Sequence, residues 1–203
     1  MKVHQIEVGN MQNFTYILED EDTGEAIILD PSWNLDEIQK IITRHDLKVK
    51  YIVNTHHHFD HTLGNEAMAK QTEAKILQHE ASALKHDITL VDEQKIKFGN
   101  SQLTVFHTPG HSEDSICLVG DGKIFTGDTL FVGNCGRVDL PGGSAQELYH
   151  SLFDILYKMD ESLVLYSGHN YGSTPISTLA NEKKSNFVLQ KRSEQEFVEL
   201  MGQ

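Results

Sequence analysis

Apolar residues recur along the chain in two patterns. Short runs, alternating or continuously apolar, predict strands over Val3–Val8, Phe14–Leu18, Ala26–Leu29, Val49–Asn54, Ala74–Leu77, Leu103–His107, Ile116–Val119, Lys123–Phe125 and Val164–Ser167. Asp121 and Gly122 separate two of these runs, and both residue types accept the positive φ of a tight turn, so a hairpin is expected there. Helical spacing takes over elsewhere. Asn34, with Glu37 three residues on, predicts a capped helix whose apolar face is Leu35, Ile38, Ile41 and Ile42. Ser144 with Glu147 predicts a second, carrying Leu148, Leu152, Ile155 and Leu156. Thr174-Pro175 predicts a third start, with proline in the first helical position. Ser193 with Glu196 predicts a fourth, burying Phe197, Leu200 and Met201, and a further helix is expected after His61 through Leu63, Ala67 and Met68. Strands interspersed with helices imply an α/β or α+β layered domain.

Length and composition narrow the picture. A chain of 203 residues without a Pro-rich or low-complexity linker is expected to form one domain over residues 1–203. A formal net charge of -13 argues against a nucleic-acid partner, although bound cations can make one pocket positive. Cys117 and Cys135 form neither a CxxC pair nor a disulfide framework, which suits a reducing cytoplasm. Met1 to Asn10 has no apolar signal-peptide core, and no apolar run reaches membrane-spanning length. The expected setting is therefore cytoplasmic, with no membrane partner.

The chemistry begins at Thr55-His56-His57-His58-Phe59-Asp60-His61, directly after the apolar run Tyr51-Ile52-Val53. Four histidines and a carboxylate in six residues are hard to explain as packing. Crowded imidazoles repel when protonated and need many partners when buried. A divalent metal answers both problems, because neutral imidazole and carboxylate are its natural ligands. In an extended segment His56 and His58 point the same way and can share one ion. Asp60 and His61 can address a neighbouring position. Three further segments place a ligand-type residue after an apolar run and a glycine: Gly110-His111, Gly127-Asp128 and Gly168-His169. Four strand ends of this kind can converge on one edge of a sheet sandwich.

These residues resemble the metallo-β-lactamase superfamily, whose signature is His-x-His-x-Asp-His followed by a distant His, Asp and His. The resemblance implies an αββα sandwich. It also implies one metal held by His56, His58 and His111, a second by Asp60, His61 and His169, and Asp128 bridging them. The segment from Phe125 to Arg137, Phe-Thr-Gly-Asp-Thr-Leu-Phe-Val-Gly-Asn-Cys-Gly-Arg, is similar to both glyoxalase II and the persulfide dioxygenases. Val138-Asp139-Leu140 and the tail through Glu182, Asn186 and Glu196 resemble the dioxygenases, and equally a group of short glyoxalase II-like hydrolases. Set against glyoxalase II, whose longer C-terminal helical region holds glutathione, no such region is expected from this sequence.

Two activities remain open on this basis. As a hydrolase of glyoxalase II type, the chain would hold two divalent ions, zinc, iron or manganese. A metal-bound hydroxide would cleave a thioester, with Asp60 and Asp128 as the catalytic carboxylates. As a dioxygenase, it would use His56, His111 and Asp128 around a single iron(II) to oxidise glutathione persulfide. A non-catalytic metal-binding domain is a third reading. The substrate is in either enzymatic case a small-molecule thioester or persulfide. Arg137 could bind a substrate carboxylate, with an ion pair to Asp139 as the structural alternative. Tyr171 could reach the substrate, with packing as its alternative. His57 is expected to point away from His56 and His58, His79 to lie at a surface helix start, and Cys117 to be core.

Overall fold

A computed structural model describes residues 1–202. Two six-stranded sheets face each other. The first runs in sequence order: β1 (Lys2–Val8), β2 (Asn13–Glu19), β3 (Glu25–Leu29), β4 (Lys48–Val53), β5 (Lys75–His79) and β6 (Ile88–Leu90). Its first three strands are antiparallel and β3 to β6 are parallel. The second contains β7 (Lys95–Phe98), β8 (Ser101–His107), β9 (Ile116–Gly120), β10 (Lys123–Gly127), β11 (Val164–Ser167) and β12 (Ser177–Thr178), in the reverse order. Only β10 and β11 are parallel there.

Strand alternation explains the layers. Leu18, Ile27, Leu29 and Val53 of the first sheet meet Phe98, Leu103, Val105 and Phe125 of the second in the central core. Their neighbours Ile17, Ile28 and Ile52 face outward under α1 (Leu35–Arg44) and α3 (Asn65–Thr72). On the far side Cys117, Ile124 and Leu165 pack under α4 (Ala145–His150), α5 (Leu179–Ser185) and α6 (Glu194–Leu200). Both faces of the central strands are covered, which is why they read as continuous apolar runs. The result is an αββα sandwich, as the resemblance implied.

Several local expectations change. Strands β6, β7 and β12 carry too few apolar residues to stand out and are held by their neighbours in the sheets. Asn34 does not cap α1: it is left-handed at φ 53°, and its Oδ1 accepts from the Gly9 amide at 3.0 Å. The helix after His61 is split into α2 (Phe59–Thr62) and α3, because the Gly64 amide turns aside to the Pro31 carbonyl at 3.0 Å. Thr174-Pro175 starts no helix; Thr178 caps α5 instead, accepting from the Asn181 amide. Ser144 accepts from the Glu147 amide as expected, but after His150 the helix widens into a π-turn over Ser151–Ile155. The box at Ser193 and Glu196 is complete and Phe197 is buried, whereas Leu200 stays 44% exposed. The hairpin at Asp121-Gly122 forms with both residues at positive φ. His79 ends β5, buried and stacked on His107 at 4.0 Å, rather than starting a surface helix.

The two sheets are stitched at the end of β2 by Asp20. Its carboxylate accepts from the Thr23 amide and hydroxyl, the Asn100 amide, and the Ser101 hydroxyl at 2.6 Å. The Ser101 bond leads in holding the acid down at about 2. A depressed carboxylate stabilises the fold fully above the ordinary range near 4 and loses that contribution as pH falls through the folded value. Asp20→Asn is therefore expected to cost about 2 kcal/mol at neutral pH. In urea titrations of the two proteins, the gap should narrow as pH drops below about 4.

Candidate metal centre

The candidate residues arrive at one edge of the sandwich from separate strand ends. The segment after β4 supplies His56, His58, Asp60 and His61, the loop after β8 supplies His111, and the ends of β10 and β11 lead to Asp128 and His169. The two sheets are joined there by the bond from the Phe14 amide to the Gly168 carbonyl, at 2.8 Å. The glycines make the approach possible. Gly127 lies at φ 48°, and a Cβ on it would come within 2.5 Å of Thr55 Oγ1.

All of the expected ligand positions converge. His56, His58 and His111 form one group of donor atoms; Asp60, His61 and His169 form another; and His56, His61 and Asp128 form a third between them, each within 4.8 Å. Asp128 lies between the groups: Oδ1 is 3.4 Å from His61 Nε2, while Oδ2 is 3.2 Å from His169 Nε2 and 3.5 Å from His111 Nε2. Asp60 Oδ2 stands 3.5 Å from His61 Nε2 and 3.4 Å from His169 Nε2.

Outer hydrogen bonds orient each ring. His61 Nδ1 donates to Asp30 Oδ2 at 3.0 Å, His111 Nδ1 to the Arg137 carbonyl at 2.7 Å, and His169 Nδ1 to the Met11 carbonyl at 2.9 Å. The Thr55 hydroxyl donates to Asp30 at 2.6 Å, so its lone pair is free to accept from His56 Nδ1 at 3.1 Å. These assignments turn the Nε2 atoms of His56, His61, His111 and His169 toward the centre. His58 is turned the other way, with Nδ1 facing His111 Nε2 at 2.9 Å. Asn13 Nδ2 donates to Asp60 Oδ2 at 2.9 Å and fixes that carboxylate.

Electrostatics agree with a cation site. Burial, then the neighbouring His61, pushes His56 well below its ordinary value, and burial brings His58 down to about 4, so both are neutral. Burial also opposes charge on Asp128, yet His61 and His169 outweigh it and hold the acid well below the carboxylate range. Burial works against a charged His61, but Asp128, Asp30 and Asp60 raise it to about 9. A proton there answers the same carboxylates that a metal would answer. Among the described residues, His56 Nε2 and Asp128 Oδ1 are buried without any hydrogen-bond partner. Two orphaned acceptors at the focus of an N/O donor set fit divalent metal ions.

The other candidates fall out differently. His57 points away and bonds Asp114 at 2.7 Å, which in turn accepts from Ser112 beside His111. Arg137 reaches the cleft, but its guanidinium makes two bonds of 2.5 Å to Asp139. Tyr171 stacks on His169 at 4.6 Å with its ring half exposed. Burial raises the Cys135 thiol to about 12, and the Cys117 thiol, in the core, to about 11. Asp30, Thr55 and Asn13 were not singled out from sequence. Asp30 did carry a signal, because it follows an apolar run as the ligand residues do.

Comparison with known proteins places this geometry. The family model described as "Metallo-beta-lactamase superfamily" matches residues 8–83 and 76–169. A probable polyketide biosynthesis zinc-dependent hydrolase of Bacillus subtilis is 30% identical, over 97% of this chain and 91% of that protein. The human mitochondrial persulfide dioxygenase ETHE1 is 31% identical, over 93% of this chain and 76% of that one. A probable hydroxyacylglutathione hydrolase of Schizosaccharomyces pombe is 30% identical, over 88% and 72%. The crystal structure of ETHE1 from Myxococcus xanthus superposes with a TM-score of 0.95 at 29% identity, covering all of this chain and 90% of that one. The relatives are named as enzymes, both hydrolases and dioxygenases. No helix among the described residues is long and apolar enough to cross a membrane. The family match, the relatives and the sandwich agree: the chain belongs to the metallo-beta-lactamase superfamily.

Proposed function

We propose that the chain is a paired-metal hydrolase of glyoxalase II type that cleaves a thioester. The observation that carries this reading is the position of Asp128, with one carboxylate oxygen facing His61 and the other facing His111 and His169. His56, His58 and His111 would hold one divalent ion, Asp60, His61 and His169 the second, and Asp128 would touch both. Zinc suits these nitrogen and oxygen donors, and iron or manganese would suit them too. Bound there, such ions supply Lewis acidity and lower the pKa of water from about 15.7 toward 7.

The chain's own groups do the rest. Asp30, through His61 and Thr55, keeps two ligand rings in the tautomer that presents Nε2. Asn13 holds Asp60 so that its carboxylate orients water. Arg137 and Tyr171, at the cleft wall, contact substrate. In the net reaction a water oxygen bonds to the acyl carbon as the carbon–sulfur bond breaks. The thiolate leaves with the sulfur electron pair and takes up a proton from that water. A thiol's pKa near 8.5 makes it a good leaving group, so no strong general acid is required.

The close superposition on ETHE1 favours a second reading, oxidation of a persulfide at a single iron held by His56, His111 and Asp128. Metal content and oxygen uptake separate the two. The expected result is two zinc ions per chain, hydrolysis of S-lactoylglutathione or a simpler thioester, and no oxygen uptake with glutathione persulfide. One iron per chain with stoichiometric oxygen uptake would establish the second reading instead. Asp128→Ala is expected to lower kcat/KM by about a thousandfold or more and to reduce metal content. Near-normal turnover in that variant would remove Asp128 from the centre.

Gly168 gives a test at a position that is not itself a ligand. A Cβ at this position would stand 2.2 Å from Asp128 Oδ1. Gly168→Ala is expected to weaken metal binding by about 10- to 100-fold, while circular dichroism shows the fold intact. Unchanged metal affinity, measured by competition with a chelator, would contradict the placement.

A further inference from the structure

The donor set is polar, and the walls around it are not. A cleft of about 630 Å3 opens over the ligands, lined beyond them by Met11, Phe59, Phe131, Leu140, Pro141 and Tyr171. Three of these belong to the exposed large apolar side chains of the protein: Met11 is 41% exposed, Phe59 62% and Tyr171 52%. The two rings are held in place. Phe59 meets Trp33 edge-on at 6.3 Å, and Tyr171 is clamped by the face of His169 and the ring of Phe131, 5.5 Å away. Apolar surface left in water at the mouth of a site is covered when an apolar ligand arrives.

Charge points the same way. Among the described residues lining the cleft, Arg137 is the one Lys or Arg, and Asp139 already engages its guanidinium. His57, also on the wall, is engaged by Asp114. A glutathione carrier brings two carboxylates that need cationic partners, and both of these wall groups are already engaged.

We infer that the cleft takes a thioester whose acyl group is a medium-length aliphatic chain and whose thiol arm bears no carboxylate. The acyl chain lies against Met11, Phe59 and Tyr171. This rests on the thioester-hydrolase reading and narrows it. The bond changes are those already given, so the products are a fatty carboxylic acid and a neutral thiol.

The test is a series of acetyl, butanoyl and hexanoyl thioesters of N-acetylcysteamine, compared with S-lactoylglutathione, on the zinc-loaded protein. The expected result is a rise in kcat/KM of about threefold per methylene, with the hexanoyl ester about tenfold or more ahead of S-lactoylglutathione. Phe59→Ser is expected to lower the hexanoyl-to-acetyl ratio by about fivefold. It should weaken binding of the unreactive thioether S-hexyl-N-acetylcysteamine by the same factor in calorimetry. A flat series, or a preference for S-lactoylglutathione, would overturn the inference and leave the hydrolase reading standing. No turnover of any thioester by protein holding two zinc ions would overturn that reading, and the inference with it.

Discussion

Two carboxylates, Asp60 and Asp128, are buried among five imidazoles, and the surrounding structure is organised by the need to balance their charge. A carboxylate taken from water without compensation is costly. Without metal, Asp128 raises both His61 and His169 against the effect of burial, and a proton on His61 meets part of that need. Divalent ions would meet it more fully, and to bind they would displace the proton on His61. Metal binding and proton release are then one event. The outer bonds from Asp30, Thr55, Arg137 and Met11 hold the Nε2 atoms of these rings facing inward before any ion arrives.

The sandwich delivers that arrangement because its strands end together. Loops after β4, β8, β10 and β11 can carry short, unrelated sequence segments to a common edge, while two apolar layers keep the strands rigid behind them. Rigid support matters, since ligand bonds near 2 Å tolerate little drift. The donor groups here are spread within 4.8 Å, close enough for small side-chain movements to close on an ion. Substitutions behind the site, at Gly127 or Gly168, reach it as directly as substitutions in it, because the backbone there is packed against Thr55 and Asp128.

Much of this was legible in the chain itself. The nine predicted strands are present, and the layered fold and the convergence of His56, His58, Asp60, His61, His111, Asp128 and His169 were read from motif and spacing. What escaped was set by neighbours. Strands of two to four residues at β6, β7 and β12 exist through their ladder partners, and Asn34 gave its cap to Gly9 on a distant turn. Asp30 and Asn13 support the ligands across 31 and 47 residues of sequence, a distance at which no local pattern can pair them. The ion pair of Arg137 with Asp139 was one of two alternatives in sequence, and the structure shows it formed.

Sequence alone determined the chemistry on offer, since residue identity and local spacing decide which donors exist and which share a strand or follow a glycine. Tertiary structure decided how that chemistry is presented: which ring nitrogen faces inward, that Asp128 addresses both donor groups, and that the surrounding wall is apolar. Those properties depend on contacts between residues far apart in the chain, and such contacts arise only when both sheets close on one core.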